Sequence, residues 1–238
     1  MMHSTFFAVL TIAMLSAGCV VEADDSAAQE SDIVSGATTA AFPAVGALLL
    51  NGRTHCTGTL ISPRRVLTAA HCIDGGVSPD TLAFAIGPRT DHPSQRIDVV
   101  ALTSHPAYGD GSLDHDIGYL TLAEDASVAP MALNRSMDLS WWGWELRFVG
   151  FGRTALDAPT STGIKRVAGM RISWIGDRSF KYLDAEDATC KGDSGGPAIF
   201  VYDGVPYVVG VHSSVHTGCS YYGTETRVDA YQTFLDGE

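Results

Sequence analysis

Three short islands of the chain hold the residue types that nucleophilic chemistry needs. Leu67-Thr68-Ala69-Ala70-His71-Cys72 carries a histidine, Asp114-His115-Asp116-Ile117-Gly118-Tyr119-Leu120 an acid, and Cys190-Lys191-Gly192-Asp193-Ser194-Gly195-Gly196-Pro197 a serine. A serine hydroxyl is a poor nucleophile at neutral pH unless a base takes its proton, and imidazole titrates near working pH. A buried aspartate fixes the imidazole tautomer and stabilises the imidazolium that forms. His71, Asp116 and Ser194 could together activate a hydroxyl for attack on a carbonyl. Asp116 is preferred to Asp114 because it directly precedes an apolar run, residues 117–122. Glycine at 192 lets the backbone N–H groups of Gly192 and Ser194 point into one concavity. There they would hold a developing oxyanion, an effect of roughly 3–4 kcal/mol per donor. Gly195 and Gly196 permit a sharp chain path after the serine. Singly, each island has a bland reading: a structural strand histidine, a turn aspartate, a Gly-rich turn. Jointly and in this order they argue for chemistry. His55 and His115 flank the islands and are read as peripheral.

The elements that must position these residues read as strands. Short apolar runs recur at 45–50, 59–61, 66–70, 98–102, 117–122, 146–149, 198–201 and 207–211, separated by turn signals such as Asn51-Gly52, Asp74-Gly75-Gly76, Asp110-Gly111 and Asp203-Gly204. Such spacing predicts an all-β sandwich or barrel. Helical periodicity appears only at the end, where Val228, Tyr231 and Leu235 predict a short terminal helix. The 238 residues, 45% hydrophobic and 18% charged, suffice for a sizeable core. The net charge of -12, from 27 acids against 15 bases, repels nucleic acid and anionic membrane.

The first residues are a separate matter. Residues 6–15 are an apolar run too short to span a bilayer, which reads as the core of an export signal over 1–18. Leu15-Ser16-Ala17-Gly18-Cys19 is similar to a bacterial lipobox, in which the cysteine becomes an acylated first residue. An ordinary leader whose Cys19 is simply removed is the alternative, and both readings stand. Residues 19–32 are polar and acidic and read as a linker or propeptide, leaving 33–238 as the folded domain. Without Cys19, four of the five cysteines remain, an even number that suits an oxidising compartment. Their spacing does not suit zinc. A secreted, surface or periplasmic protein is expected, with an outer-membrane lipoprotein as one form of it. Its membrane contact would be limited to a lipid at Cys19.

The islands resemble the TAAHC, DIALL and GDSGGP patterns of the chymotrypsin/trypsin-like serine peptidases, in the same order, and the resemblance covers residues 33 to about 235. It implies a double β-barrel with a short C-terminal helix, peptide-bond hydrolysis with His71, Asp116 and Ser194 as the triad, protein or peptide substrates, no cofactor and a monomer. It also implies the disulfides Cys56–Cys72 and Cys190–Cys219. The further bridges of animal relatives have no cysteines here, which suggests a lean, bacterial-type version. Ile33-Val34-Ser35-Gly36 resembles the family's mature start, whose new α-amino group pairs with the acid before the nucleophile, here Asp193. The residue before the cut is Asp32, whereas tryptic activators cut after Arg or Lys.

The implied specificity pocket departs from the tryptic one. Ala188 stands where tryptic members keep an acid, followed by Thr189, with Gly210-Val211-His212-Ser213 on the opposite wall and Gly223 as a further lining residue. Thr189 with His212 resembles the bacterial glutamyl endopeptidases and implies an acidic P1 side chain, with His212 as a donor to it. Ser213 would support the buried Asp116. A small or apolar P1 residue is the alternative, with His212 a satisfied strand histidine. Two other classes compete: a non-catalytic homologue acting as a binding module, and an esterase using the same triad. Trp141-Trp142-Gly143-Trp144 reads as strand core and rim before a sugar or membrane platform. No metal site is read, although loop acids could hold Ca²⁺ weakly.

Overall fold

Strand-forming runs closed by tight turns dominate the chain, and they fold into two barrels. The structure is a computed structural model, and it describes residue 1 and residues 37–109, 114–184, 188–215, 219 and 221–237. The export signal 1–18, Cys19, the segment 19–32 and Ile33 lie outside the described residues.

After the short β1 (Ala37–Thr38), the first barrel is built from β2 (Val45–Leu50), β3 (Arg53–Ser62), β4 (Arg65–Thr68), β5 (Leu82–Ile86), β6 (Gln95–Ser104) and β7 (Gly118–Leu122). The six close in the order β2-β3-β4-β7-β6-β5. Asn51 and Gly52, at φ of 50° and 76°, make the tight turn that joins β2 to β3. The second barrel follows β8 (Ala132–Leu133) and holds β9 (Glu145–Gly150), β10 (Arg166–Ile175), β11 (Ser179–Leu183), β12 (Pro197–Tyr202), β13 (Val205–Val215) and β14 (Tyr222–Arg227). Here β10 leads through β11, β14, β13 and β12 to β9, and β9 pairs back onto β10. The expected double barrel is therefore the observed fold. All eight apolar runs named above overlap strands. β1, β5, β8, β10, β11 and β14 are additional strands that those runs did not include.

Packing separates the interiors but merges them at the seam. The second barrel encloses Leu146, Phe148, Met170, Ile172, Phe180, Tyr182 and Val209. The first barrel's core, with Leu48, Leu60, Leu67, Phe84 and Ile97, continues into Val149, Phe151, Ile199, Val208 and Val211 from the second. The chain ends also cross over. β1 precedes the first barrel yet pairs with β10, Ala37 opposite Val167. A turn at Asp229–Tyr231 and the helix α1 (Gln232–Asp236) return to the first barrel, where Arg65 Nη1 donates to the Leu235 carbonyl at 2.7 Å. Val228, Tyr231 and Leu235, whose spacing predicts the helix, are all buried there. The α-helix itself is only five residues long.

Phe84 of β5 is 0% exposed and closes the first barrel against β2. Phe84→Ala should therefore destabilise the protein by about 3–5 kcal/mol in denaturant unfolding. A loss under about 1 kcal/mol would mean that this core collapses around the gap.

Candidate active site

At the seam, the first barrel contributes two of the three island residues. Chain leaving β4 enters a 3-10 turn at Ala70–Cys72 that presents His71. The Cys56–Cys72 disulfide ties this turn to β3. Asp116 stands just ahead of β7 and is 0% exposed. Its Oδ1 accepts the His71 backbone N–H at 2.9 Å, and its Oδ2 faces His71 Nδ1 at 2.8 Å. Ser213 Oγ donates to the same Oδ2 at 2.6 Å, and Thr226 Oγ1 donates to the Asp116 carbonyl at 3.0 Å. An ionised carboxylate only accepts, so Nδ1 must carry the proton and Nε2 is left to face the cleft. Asp116, not Asp114, is the acid against His71. His55 Nε2 lies 3.1 Å from the Cys72 carbonyl, and His115 stacks on His105 with ring centroids 4.7 Å apart.

Ser194 belongs to the loop before β12 and is half-buried. Its carbonyl accepts the Thr57 N–H at 2.8 Å, while Thr57 Oγ1 donates to the Gly192 carbonyl at 2.8 Å. Gly195 N–H donates to the His212 carbonyl at 2.8 Å. The loop is thus pinned to β3 on one side and β13 on the other. Gly192 adopts φ of 103° and Gly195 φ of 77°, values that exclude most side chains. At Gly195 a Cβ would also lie 2.5 Å from the Thr57 carbonyl oxygen. Among the described residues, no protein acceptor takes the N–H of Gly192 or of Ser194. Ser194 Oγ and His71 Nε2 are not hydrogen-bonded to one another; such bonds often tighten only with substrate in place.

Asp193 points inward and is 2% exposed. It accepts backbone N–H groups from Gly152 and Cys190, both at 2.8 Å. Burial pushes its carboxyl up to about 6, against the pull of those two donors and, more weakly, of His212 and Arg166. Arg166, also buried, spends its Nη1 on the carbonyls of Ser161, Ile164 and Gly152 at 3.0, 3.3 and 3.4 Å. The expected partner of Asp193, Ile33, lies outside the described residues.

Ala188 and Thr189 are buried on the stretch leading to Ser194, and Cys190–Cys219 is the second disulfide. Gly223 of β14 sits opposite Tyr182 of β11, and its bare Cα leaves room for the Tyr182 hydroxyl. That hydroxyl meets Thr189 Oγ1. Thr189 Oγ1 lies 2.9 Å from His212 Nε2, and His212 Nδ1 lies 2.5 Å from Glu225 Oε1. The expectation that His212 itself donates to a substrate is revised here, because both ring nitrogens already have protein partners. Tyr182 and Glu225 are additional members that the sequence reading did not name. A charged residue flanked by threonines in the middle of a strand, Thr224-Glu225-Thr226, was the available signal.

Two further expectations meet the structure at the surface. Trp141 and Trp144 stack 4.8 Å apart and pack on Phe200; Trp142 is 67% exposed and Trp144 40%, and all three lie on a 3-10 turn and the chain before β9 rather than in a strand, so only Trp141 reaches the core. Cys56, His71 and Cys72 gather ligand-type atoms within 4.8 Å, but the disulfide leaves neither sulfur a thiolate.

The family model described as Trypsin matches residues 33–235. Mast cell protease 2 of Meriones unguiculatus is 30% identical over 197 residues, which cover 76% of this chain and 77% of that protein. Chymase of Papio hamadryas is 31% identical over 159 residues, 60% of this chain and 64% of that one. Vitamin K-dependent protein C of Mus musculus is 28% identical over 216 residues, 76% of this chain but only 45% of that protein. The chain thus spans less than half the length of protein C.

The carboxyl of Asp193, pushed up to about 6, lies above its unfolded value of about 3.9. Between those values the folded chain binds more protons than the unfolded one, so stability falls as pH rises through them. Relative to Asp193→Asn, the full-length protein should lose on the order of 3 kcal/mol between about pH 4 and pH 7 in denaturant unfolding. Parallel curves for the two proteins would show that this carboxyl ionises freely.

Proposed function

This chain belongs to the trypsin family, and from that premise we propose that it is a serine endopeptidase acting through His71, Asp116 and Ser194. The observation that carries the reading is the fully buried Asp116 carboxylate, 2.8 Å from His71 Nδ1 and held from behind by Ser213. With Nδ1 committed, Nε2 is the atom that takes the Ser194 proton as Oγ attacks the scissile carbonyl. The uncommitted N–H groups of Gly192 and Ser194 stabilise the oxyanion. His71 then returns the proton to the leaving amine, and water enters by the same route to release the acyl group. Ser194→Ala and His71→Ala, each in protein cut to begin at Ile33, should lower peptide turnover by several orders of magnitude. Both should abolish or sharply reduce labelling by a fluorophosphonate. Retention of more than about a tenth of the activity by either pure variant would sink the assignment and favour a binding module.

The same reading includes activation. An α-amino group released at Ile33 would supply a cation to Asp193, whose buried carboxylate is otherwise hydrogen-bonded, among the described residues, only to backbone N–H groups, with Arg166 and His212 pulling on it more weakly from a distance. A complete ion pair offsets desolvation where an isolated charge does not. Residues 1–18 act as an export signal and 19–32 as the removed segment, with Cys19 as the lipid site if anchored. The two disulfides suit an extracellular or periplasmic location.

For specificity we propose an acidic P1 residue, Glu before Asp, in a pocket like that of the bacterial glutamyl endopeptidases. Ala188 presents no charge to a basic side chain, and Thr189 stands beside it with His212 behind. A carboxylate entering a dry pocket needs charge-assisted donors. The acidic end of the removed segment, Glu30-Ser31-Asp32, would let such an enzyme mature itself. Profiling on a peptide library should show cleavage after Glu at least about tenfold above cleavage after Lys or Arg. Aromatic or small aliphatic P1 residues ranked above Glu would reject this specificity and leave the triad untouched.

A further inference from the structure

Behind Thr189 runs a row of polar side chains that the acyl-transfer steps do not use. Tyr182, Thr189, His212 and Glu225 come from β11, the nucleophile loop, β13 and β14, and none is more than 3% exposed. They are joined hydroxyl to hydroxyl to imidazole to carboxylate. Glu225 Oε2 is buried and has no hydrogen-bond partner among the described residues. A carboxylate with one satisfied oxygen in a dry site is unfavourable unless a proton or a cation stands against it.

We infer that Glu225 is a positioning residue that keeps an extra proton on the Glu225–His212 pair, and that this proton decides whether Thr189 offers the P1 side chain a donor or an acceptor. The argument is a proton count, and its sign for substrate choice rests on the acidic P1 reading above. With the pair protonated, His212 carries hydrogen on both nitrogens or passes the Nδ1 proton to Glu225. In either tautomer Nε2–H donates to Thr189 Oγ1. Thr189 accepts there and from the Tyr182 hydroxyl, so its own O–H remains to point at P1. With the pair deprotonated, Nδ1–H still serves Glu225 and Nε2 becomes a lone pair. Thr189 must then donate to Nε2 and can only accept from P1. A P1 carboxylate fits the first state. In the second it meets a lone pair and a net negative charge.

The groups facing His212 favour the protonated state. They are the carboxylates of Glu225 on β14, Asp193 on the nucleophile loop and Asp116 ahead of β7; the Tyr182 phenol on β11 faces the ring as well but adds no charge. Burial pulls the His212 imidazolium down, but Glu225, and then Asp193 and Asp116, outweigh it and raise it overall. Burial likewise raises Glu225, against the pull of His212. Burial also raises the Tyr182 phenol, so it stays a donor. Selection for an acid is therefore present below the raised titration of the pair and is lost as pH rises through it.

The test pairs two readouts on the active enzyme from about pH 5 to about pH 9. One is the kcat/KM ratio for substrates that differ only by Glu or Gln at P1. The other is an NMR titration of the His212 ring, assigned by its loss in His212→Ala. Glu225→Gln keeps the shape and the bond to Nδ1–H but removes the charge. It should lower the His212 midpoint by at least about one pH unit and move the fall in the Glu-over-Gln ratio with it, reducing that ratio about tenfold near neutrality. An unmoved His212 midpoint overturns the inference whatever the P1 preference. A midpoint that moves in an enzyme preferring neutral P1 residues upholds the role of Glu225 and overturns the acidic reading instead. Should Glu225→Gln fail to fold, the wild type and Thr189→Val decide. A His212 ring neutral throughout the range, or a Glu-over-Gln ratio in Thr189→Val that keeps its pH dependence, overturns the inference.

Discussion

A carboxylate sealed from water is the constraint around which the seam is organised. Asp116 is 0% exposed, and its acceptors are filled from both barrels: His71 of the first through two N–H groups, Ser213 and Thr226 of the second through hydroxyls. Burying a charge is tolerable only with such complete hydrogen bonding. The requirement is mutual, because the geometry that satisfies Asp116 also fixes the distance between β7 and β13. Thr57 does the same from the other side. Its N–H and Oγ1 hold the Ser194 and Gly192 carbonyls, and its Oγ1 accepts from Phe151 N–H at 3.1 Å. Both barrels therefore contribute polar groups that the other one needs.

The second barrel buries several ionisable groups. Asp193, His212, Glu225, Lys165 and Arg166 are all buried. Lys165, 1% exposed, donates to the Phe42 carbonyl at 3.1 Å, and burial pulls its ammonium down to about 8. These groups do not stabilise the barrel as cheaply as aliphatic residues would, since desolvation opposes each charge. Asp193 lies beside Ser194, and His212 and Glu225 lie behind Thr189, while Lys165 sits apart, against Phe42 and Phe151.

How much was legible in the sequence follows from locality. The islands around His71, Asp116 and Ser194 are contiguous runs, so their types and order could be read directly. Strands β2, β4, β7, β9, β12 and β13 carry continuous or alternating aliphatic runs and were readable as strands. β14 was not, because Tyr-Gly-Thr-Glu-Thr-Arg has no aliphatic residue and buries the polar Glu225 and Thr226 on its two opposite faces. β10 hides its inward face behind Arg166 and the small Ala168 before Met170 and Ile172 show it. β5, Leu-Ala-Phe-Ala-Ile, is buried along its whole length and is itself a continuous apolar run, so its omission has no physical cause in the sequence. The row from Tyr182 to Glu225 was beyond local reading for a different reason. Its members are spread over four elements, and only register across β11, β14 and β13 brings them together.

The crossing of the chain ends has a consequence for how the molecule acquires its structure. β1 waits for β10, more than half the chain away, and the carbonyl of Leu235 is captured by an arginine 170 residues earlier. Pairings this distant must overcome loop-closure entropy before they contribute, which slows folding and raises the contact order. Neither barrel can reach its final form until the segments it exchanges with the other have both been made. The seam, and with it any proteolytic capacity, should assemble only after the chain has been made as far as Leu235. Such a delay separates synthesis from activity by chain topology alone.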